Sequence, residues 1–98
     1  MKNETNISLL YENILVSELT DDLEVNGVPL MYDSDNPYMF CNIEAISQDA
    51  KTEIGISGDE VLVIKRYAKE AYLPGYYFIS AKDVRGFVSR ETYNAMVK

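Results

Sequence analysis

Ser17 to Pro37, SELTDDLEVNGVPLMYDSDNP, is the stretch on which the reading of this chain turns. It lies between two segments with strand character and shows no strand or helix pattern of its own. It holds six acids, Glu18, Asp21, Asp22, Glu24, Asp33 and Asp35, and no lysine or arginine. In its middle is a short apolar run, Val28-Pro29-Leu30-Met31, opened by Asn26-Gly27. Loops longer than about 12–15 residues are uncommon in compact domains unless they are functional or disordered. The acids keep such a segment solvated, so the apolar run is a patch the loop cannot easily bury for itself. One reading is a mobile arm, about residues 17–37, that carries a hydrophobic plug for a partner. The other is a surface loop whose apolar residues fold back onto the domain.

The segments around the arm read as strands. Met1 to Asn6 is polar and expected to fray. Ile7 to Val16, ISLLYENILV, reads as the first strand, with β-branched residues near its end. Pro37 closes the arm, because its fixed φ and missing N–H suit the start of a strand. Tyr38 to Ile46, YMFCNIEAI, alternates, placing Met39, Cys41, Ile43 and Ala45 on one face. Ser47 to Glu53 reads as a polar connection, and Ile54 to Ser57 as an apolar lead-in to a Gly58-Asp59 turn. Val61-Leu62-Val63-Ile64 follows. Four consecutive apolar β-formers predict a strand buried on both faces, hence a closed or sandwiched sheet. Lys65-Arg66-Tyr67 then leads out to solvent. Pro74-Gly75 has the type II turn pattern and joins Glu70–Leu73 to Tyr76–Ile79 as a hairpin. Ser80 to Asp83 predicts a capped single turn, Val84 to Val88 a last strand, and Ser89 to Lys98 a short helix capped by Ser89. Ten residues are marginal as an isolated helix, so this one needs a surface to pack on.

The 98 residues predict one all-β domain with a modest core. A net charge of −7 argues against a nucleic-acid backbone as ligand. The charge is uneven: ten acids and no base from Asn3 to Ala50, then eight bases against six acids from Lys51 to Lys98. No segment is long enough to span a bilayer, Met1 to Ile7 lacks an apolar run of signal-peptide length, and a soluble cytoplasmic protein is expected.

Catalytic chemistry finds little support. The chain has no histidine, so neither a histidine base nor a Cys/His zinc site exists. Cys41, the only cysteine, reads as a small buried apolar residue because nothing near it in sequence would lower its pKa. Asp21-Asp22-Leu23-Glu24 lacks the alternating ligands of a calcium loop, and Asp59-Glu60 would point to opposite faces of a strand. Solvated charge accounts for both, and no cofactor or metal is expected. Alternating aromatics in the 70–79 hairpin could stack single-stranded bases, but the acidic charge speaks against it.

The order of these parts resembles the co-chaperonin family, the small lids of group I chaperonins. Leu10 to Val16 is similar to the family's opening strand. A long mobile loop with a central glycine and an aliphatic tripeptide follows, matched here by Gly27 and Val28-Pro29-Leu30. Asn42 to Ser47 is similar to a strand with a small-residue turn, and Gly58-Asp59-Glu60-Val61-Leu62-Val63 to the family's Gly-Asp turn and aliphatic strand. Lys65-Arg66-Tyr67-Ala68, Tyr77-Phe78-Ile79, Ser80 to Asp83 and Val84 to Val88 complete the series. The resemblance covers about residues 9 to 88 and rests on order and spacing. It implies a small irregular β-barrel in a sevenfold ring, with no cofactor of its own. Gly27, Val28, Pro29, Leu30 and Met31 would dock into the apical groove of a chaperonin subunit. The ring would close a chamber for a folding client, and the partner chaperonin alone would bind ATP.

Three departures stand out. Pro29 occupies the middle of the tripeptide, where the family usually has a β-branched residue. Ser47 to Ile56 is shorter than the usual roof-forming hairpin, implying an open dome. Residues 89–98 have no counterpart in ordinary bacterial lids. Such divergence is similar to lids carried by bacteriophages, whose client would be a capsid protein. The alternative is a structural β-barrel subunit of a phage or cellular assembly whose acidic arm clamps a neighbouring copy.

Overall fold

A computed structural model describes residues 7–98, so the expectation for Met1 to Asn6 lies outside the described residues. Among the described residues the chain is predominantly β, with eight strands and two short α-helices. Six strands form one antiparallel sheet in the order β6-β7-β1-β4-β5-β8. They are β1 (Asn13–Glu18), β4 (Tyr38–Ile46), β5 (Val61–Lys65), β6 (Glu70–Leu73), β7 (Tyr76–Ser80) and β8 (Val84–Val88). β2 (Leu23–Val25) and β3 (Val28–Leu30) pair separately as a two-stranded sheet. The helices are α1 (Gln48–Ile54) and α2 (Arg90–Met96).

The strands from Tyr38 onward, the turn at Gly75 (φ 84°) and the Ser89-capped helix fall where the sequence places them. So does the Ser80 turn, where Asp83 Oδ2 accepts from Ser80 N and Ser80 Oγ accepts from Lys82 N. Three expectations are corrected. The first strand begins at Asn13 rather than Ile7, because a turn intervenes: Tyr11 has φ 59° and Asn13 N bonds Leu10 O at 3.3 Å. Ser47 to Glu53 is not a loose connection but the start of α1. Ser47 Oγ accepts from Ala50 N at 3.0 Å, and Gly55, at φ 86°, ends the helix with its N–H on Lys51 O. Finally, the acidic stretch contains a hairpin.

The burial of β5 on both faces also has a different cause from sheet closure. The described ladder is open, with β6 and β8 each pairing on one side. One face carries the main core: Ile14, Val16, Met39, Cys41, Leu62, Ile64 and Ile79, covered in part by Ala50 of α1. Period-two alternation sends Val61 and Phe40 to the opposite face. There they meet Leu23 from the arm and Tyr93 from α2, with Leu19, Val88 and Met96 around them. Phe40 and Tyr93 pack edge to face, 5.4 Å apart at an interplanar angle of 60°. The arm and the C-terminal helix thus form the second layer.

Candidate protein-docking site

Of the residues singled out in the acidic stretch, Glu24 and Asn26 to Leu30 lie on the β2–β3 hairpin, and Met31 follows it directly. Asn26 (φ 54°) and Gly27 (φ 80°) form its two-residue turn, and two successive positive φ angles mark the type I′ turn that suits a hairpin's twist. The register pairs Leu23 with Leu30, Glu24 with Pro29 and Val25 with Val28. In an antiparallel pair, hydrogen-bonded and non-bonded positions alternate. The turn makes Val25–Val28 the bonded closing pair, so Glu24–Pro29 is a non-bonded pair. Pro29 therefore costs the ladder nothing, and its missing donor falls on the hairpin's outer edge.

Residues paired across a hairpin share a face, which places Leu23, Val25, Val28 and Leu30 together and Glu24 with Pro29 on the reverse. The apolar face is buried at Leu23 on its first leg and exposed along its second. Leu23 is 3% exposed, whereas Val28 is 58%, Leu30 48% and Met31 65%. Leu30 and Met31 form one wall of a cleft whose other walls include Leu19, Tyr38, Phe40 and Val63. Its volume of about 160 Å³ is below the roughly 300 Å³ at which cofactor pockets begin, so it suits a side chain rather than a small-molecule cofactor.

Polar contacts fix both legs of the arm. On the ascending leg, Leu19 N continues to Phe40 O at 3.0 Å, and Tyr93 Oη donates to Asp21 Oδ2 at 3.0 Å. On the descending leg, Tyr32 N donates to Asp22 Oδ1 at 2.7 Å and Tyr32 Oη to Glu18 Oε2 at 2.7 Å. Arg66, which the sequence sends toward solvent, folds back instead. Its guanidinium pairs with Glu18 and donates to Asn36 O at 2.8 Å and Asp33 O at 3.2 Å. Burial raises the Glu18 carboxyl, but bonds from Arg66 and Tyr32 outweigh it and hold the group below its ordinary range. The bond to Glu18 is also the main reason that the Tyr32 phenol is raised. Nothing in the sequence joins Arg66 to Glu18, 48 residues away.

The other chemistry-bearing side chains are committed to structure. Burial pushes the Cys41 thiol up to about 12, far from a reactive thiolate. Glu60 accepts from the backbone N–H groups of Ser57, Gly58 and Asp59, which makes it the brace of the turn before β5. Among the described residues, no group of three or more acids and cysteines is placed to hold a metal ion, and no helix is long and apolar enough to cross a membrane. The structure places Gly27 in the hairpin's turn, Val28 and Leu30 on one face of its second strand with Met31 just past it, and Pro29 on the reverse face. No protein-family model matches the chain, and no curated protein does.

Proposed function

We propose that this chain is a docking subunit of the co-chaperonin type, presenting Val28, Leu30 and Met31 to an apolar groove on a group I chaperonin. The observation that carries the reading is a preformed hairpin whose apolar side chains are exposed along its second strand, at Val28 and Leu30, with Met31 next to them. Because Pro29 puts a missing donor on the outer edge, strand addition there is disfavoured, and side-chain insertion into a groove is the better mode. Completing the burial of Val28 and Leu30 contributes about 1 kcal/mol each, roughly half the value for a fully exposed aliphatic side chain. Turn and pairing are already set, so less ordering entropy opposes docking than for a free loop. One arm still binds weakly. Linked copies raise avidity by about 10²–10⁴, so the proposal includes a ring, sevenfold as in the family, with closure of each sheet into a barrel and a chamber for a folding client.

The test is co-elution with a bacterial group I chaperonin, with and without adenine nucleotide. Nucleotide-dependent capture that Leu30→Asp abolishes, with the oligomer intact, is the expected result. Capture that survives this substitution removes the exposed second strand of the hairpin from the interface.

A second reading, an assembly subunit whose arm clamps a neighbouring copy, is favoured by one observation: the hairpin is anchored at its root through Leu23 and Asp21. In that case Leu30→Asp breaks the oligomer itself, and no chaperonin is captured.

A further inference from the structure

The C-terminal helix holds the arm by its first leg. Tyr93, in the middle of α2, is 2% exposed and packs with Leu23 and Val61. Its hydroxyl donates to Asp21, two residues before the hairpin begins. Past the helix, Lys98 N donates to Asp22 O at 3.0 Å, and Val97 makes an antiparallel bridge with Leu23. α2 thus packs against β2, the first strand of the hairpin. Leu30 and Met31, by contrast, are separated from the sheet by the cleft.

Neither partner is stable by itself. A lone two-stranded hairpin is marginal in water, and so is a seven-residue helix. Each supplies the apolar surface the other lacks: Leu23 is the floor beneath Tyr93, and Tyr93 is the cover over Leu23. We infer that α2 is a strap, and that hairpin and helix dock onto the sheet and leave it as one cooperative unit. With the strap set, the arm presents a fixed tip. With the strap released, the arm reverts to a loose, acidic tether held at its two ends by the Leu19–Phe40 backbone bond and the Arg66 contacts. The consequence for a partner, that α2 sets how far the tip can reach and how pre-ordered it is, rests on the docking reading above. The coupling itself does not, because it belongs to the free protein.

Amide hydrogen exchange of the free full-length chain is the test. Tyr93→Phe keeps the ring and removes one hydrogen bond, so exchange at Val28 rises by about 2- to 10-fold, the factor expected for a single bond. Asn94 is exposed, and Asn94→Pro breaks the helix without deleting a side chain that touches the arm. It should abolish protection at Val25 and Val28 while Cys41 and Leu62 in the sheet keep theirs. In the reverse direction, Leu23→Ala should speed exchange at Asn94 and Ala95 by the same factor as at Val28. Hairpin amides that stay protected in Asn94→Pro overturn the strap. So does a result in which hairpin and sheet accelerate together, because the unit would then not be separate. Capture of a chaperonin by these variants reads the functional consequence separately: lost capture with intact coupling removes the docking reading and leaves the strap.

Discussion

Replacing Arg66 by methionine isolates the latch at the base of the arm. The apolar stem is kept, so the packing of the side chain's root changes little. What is lost is the guanidinium, with its bonds to Glu18, Asn36 O and Asp33 O. Arg66 and Glu18 side chains are 18% and 19% exposed, between a surface pair and a buried one. A surface pair contributes about 0–1 kcal/mol, and a hydrogen bond to a charged group about 1.5–3. The freed carbonyls sit in exposed loop and regain water, so the charged bond dominates, and a loss of about 2 kcal/mol at neutral pH is expected. With a urea m-value of about 2 kcal/mol/M, the midpoint falls by about 1 M. The effect must depend on pH in one direction. The Glu18 carboxyl is lowered from 4.5 in the folded protein, so its contribution is present above about pH 4.5 and is lost as pH falls through the lower folded value. Urea melts of wild type and Arg66→Met at pH 7 and pH 3 should therefore differ by about 2 kcal/mol at the first and by less than half of that at the second. A loss below about 0.5 kcal/mol at pH 7, or an equal loss at both values, refutes the latch.

Leu23→Ala removes the floor of the second core and should destabilise the chain by about 2–4 kcal/mol in urea melts, whereas Leu30→Asp, across from it on the exposed second strand, should cost less than about 1 kcal/mol. A Leu23→Ala loss no larger than that of Leu30→Asp would contradict the assigned burial. Gly27→Val forces a β-branched residue into left-handed backbone at φ 80° and should cost about 1–2 kcal/mol, read as lost hairpin NMR signals with the sheet unchanged. The Cys41 thiol, raised to about 12 by burial, should resist a thiol reagent at pH 8 in the native protein and react fully in denaturant. Native labelling at the unfolded rate would mean that the main core is open there.

The sheet was legible in the sequence because its strands carry period-two patterning or continuous apolar runs bounded by Pro and Gly. Tyr38–Ile46 and Val84–Val88 follow from those signals alone. The first helix was hidden although its punctuation was present. Ser47 and Gly55 stand eight positions apart, but between them only Ala50 and Ile54, one turn apart, supply an apolar face, and such short periodicity does not separate helix from loop. The hairpin was hidden by Pro29. Leu-Glu-Val and Val-Pro-Leu around Asn-Gly form a strong hairpin signal, yet a proline within a run argues against a strand. Resolving the conflict requires the register: Pro29 sits at a non-bonded position facing outward, where the proline rule has no force.

The deeper reason lies in where the stabilising surface comes from. Leu23 is the first apolar residue after Leu19, flanked by Asp22 and Glu24, and nothing within the arm could bury it. Its partners are Val61 and Tyr93, 38 and 70 residues further along the chain. Local composition thus describes the arm as it would be with α2 absent, a charged tether with an apolar tip. The folded chain has the same arm held down at Leu23 and by the polar contacts of its two legs. The buried leucine and the tyrosine above it are the part of that anchoring that depends on α2, so, on the proposed docking reading, partner capture should respond to substitutions in the C-terminal helix as well as to substitutions in the hairpin. A screen of tip binding that finds sensitive positions only between Leu23 and Met31, and none between Arg90 and Lys98, would break that argument.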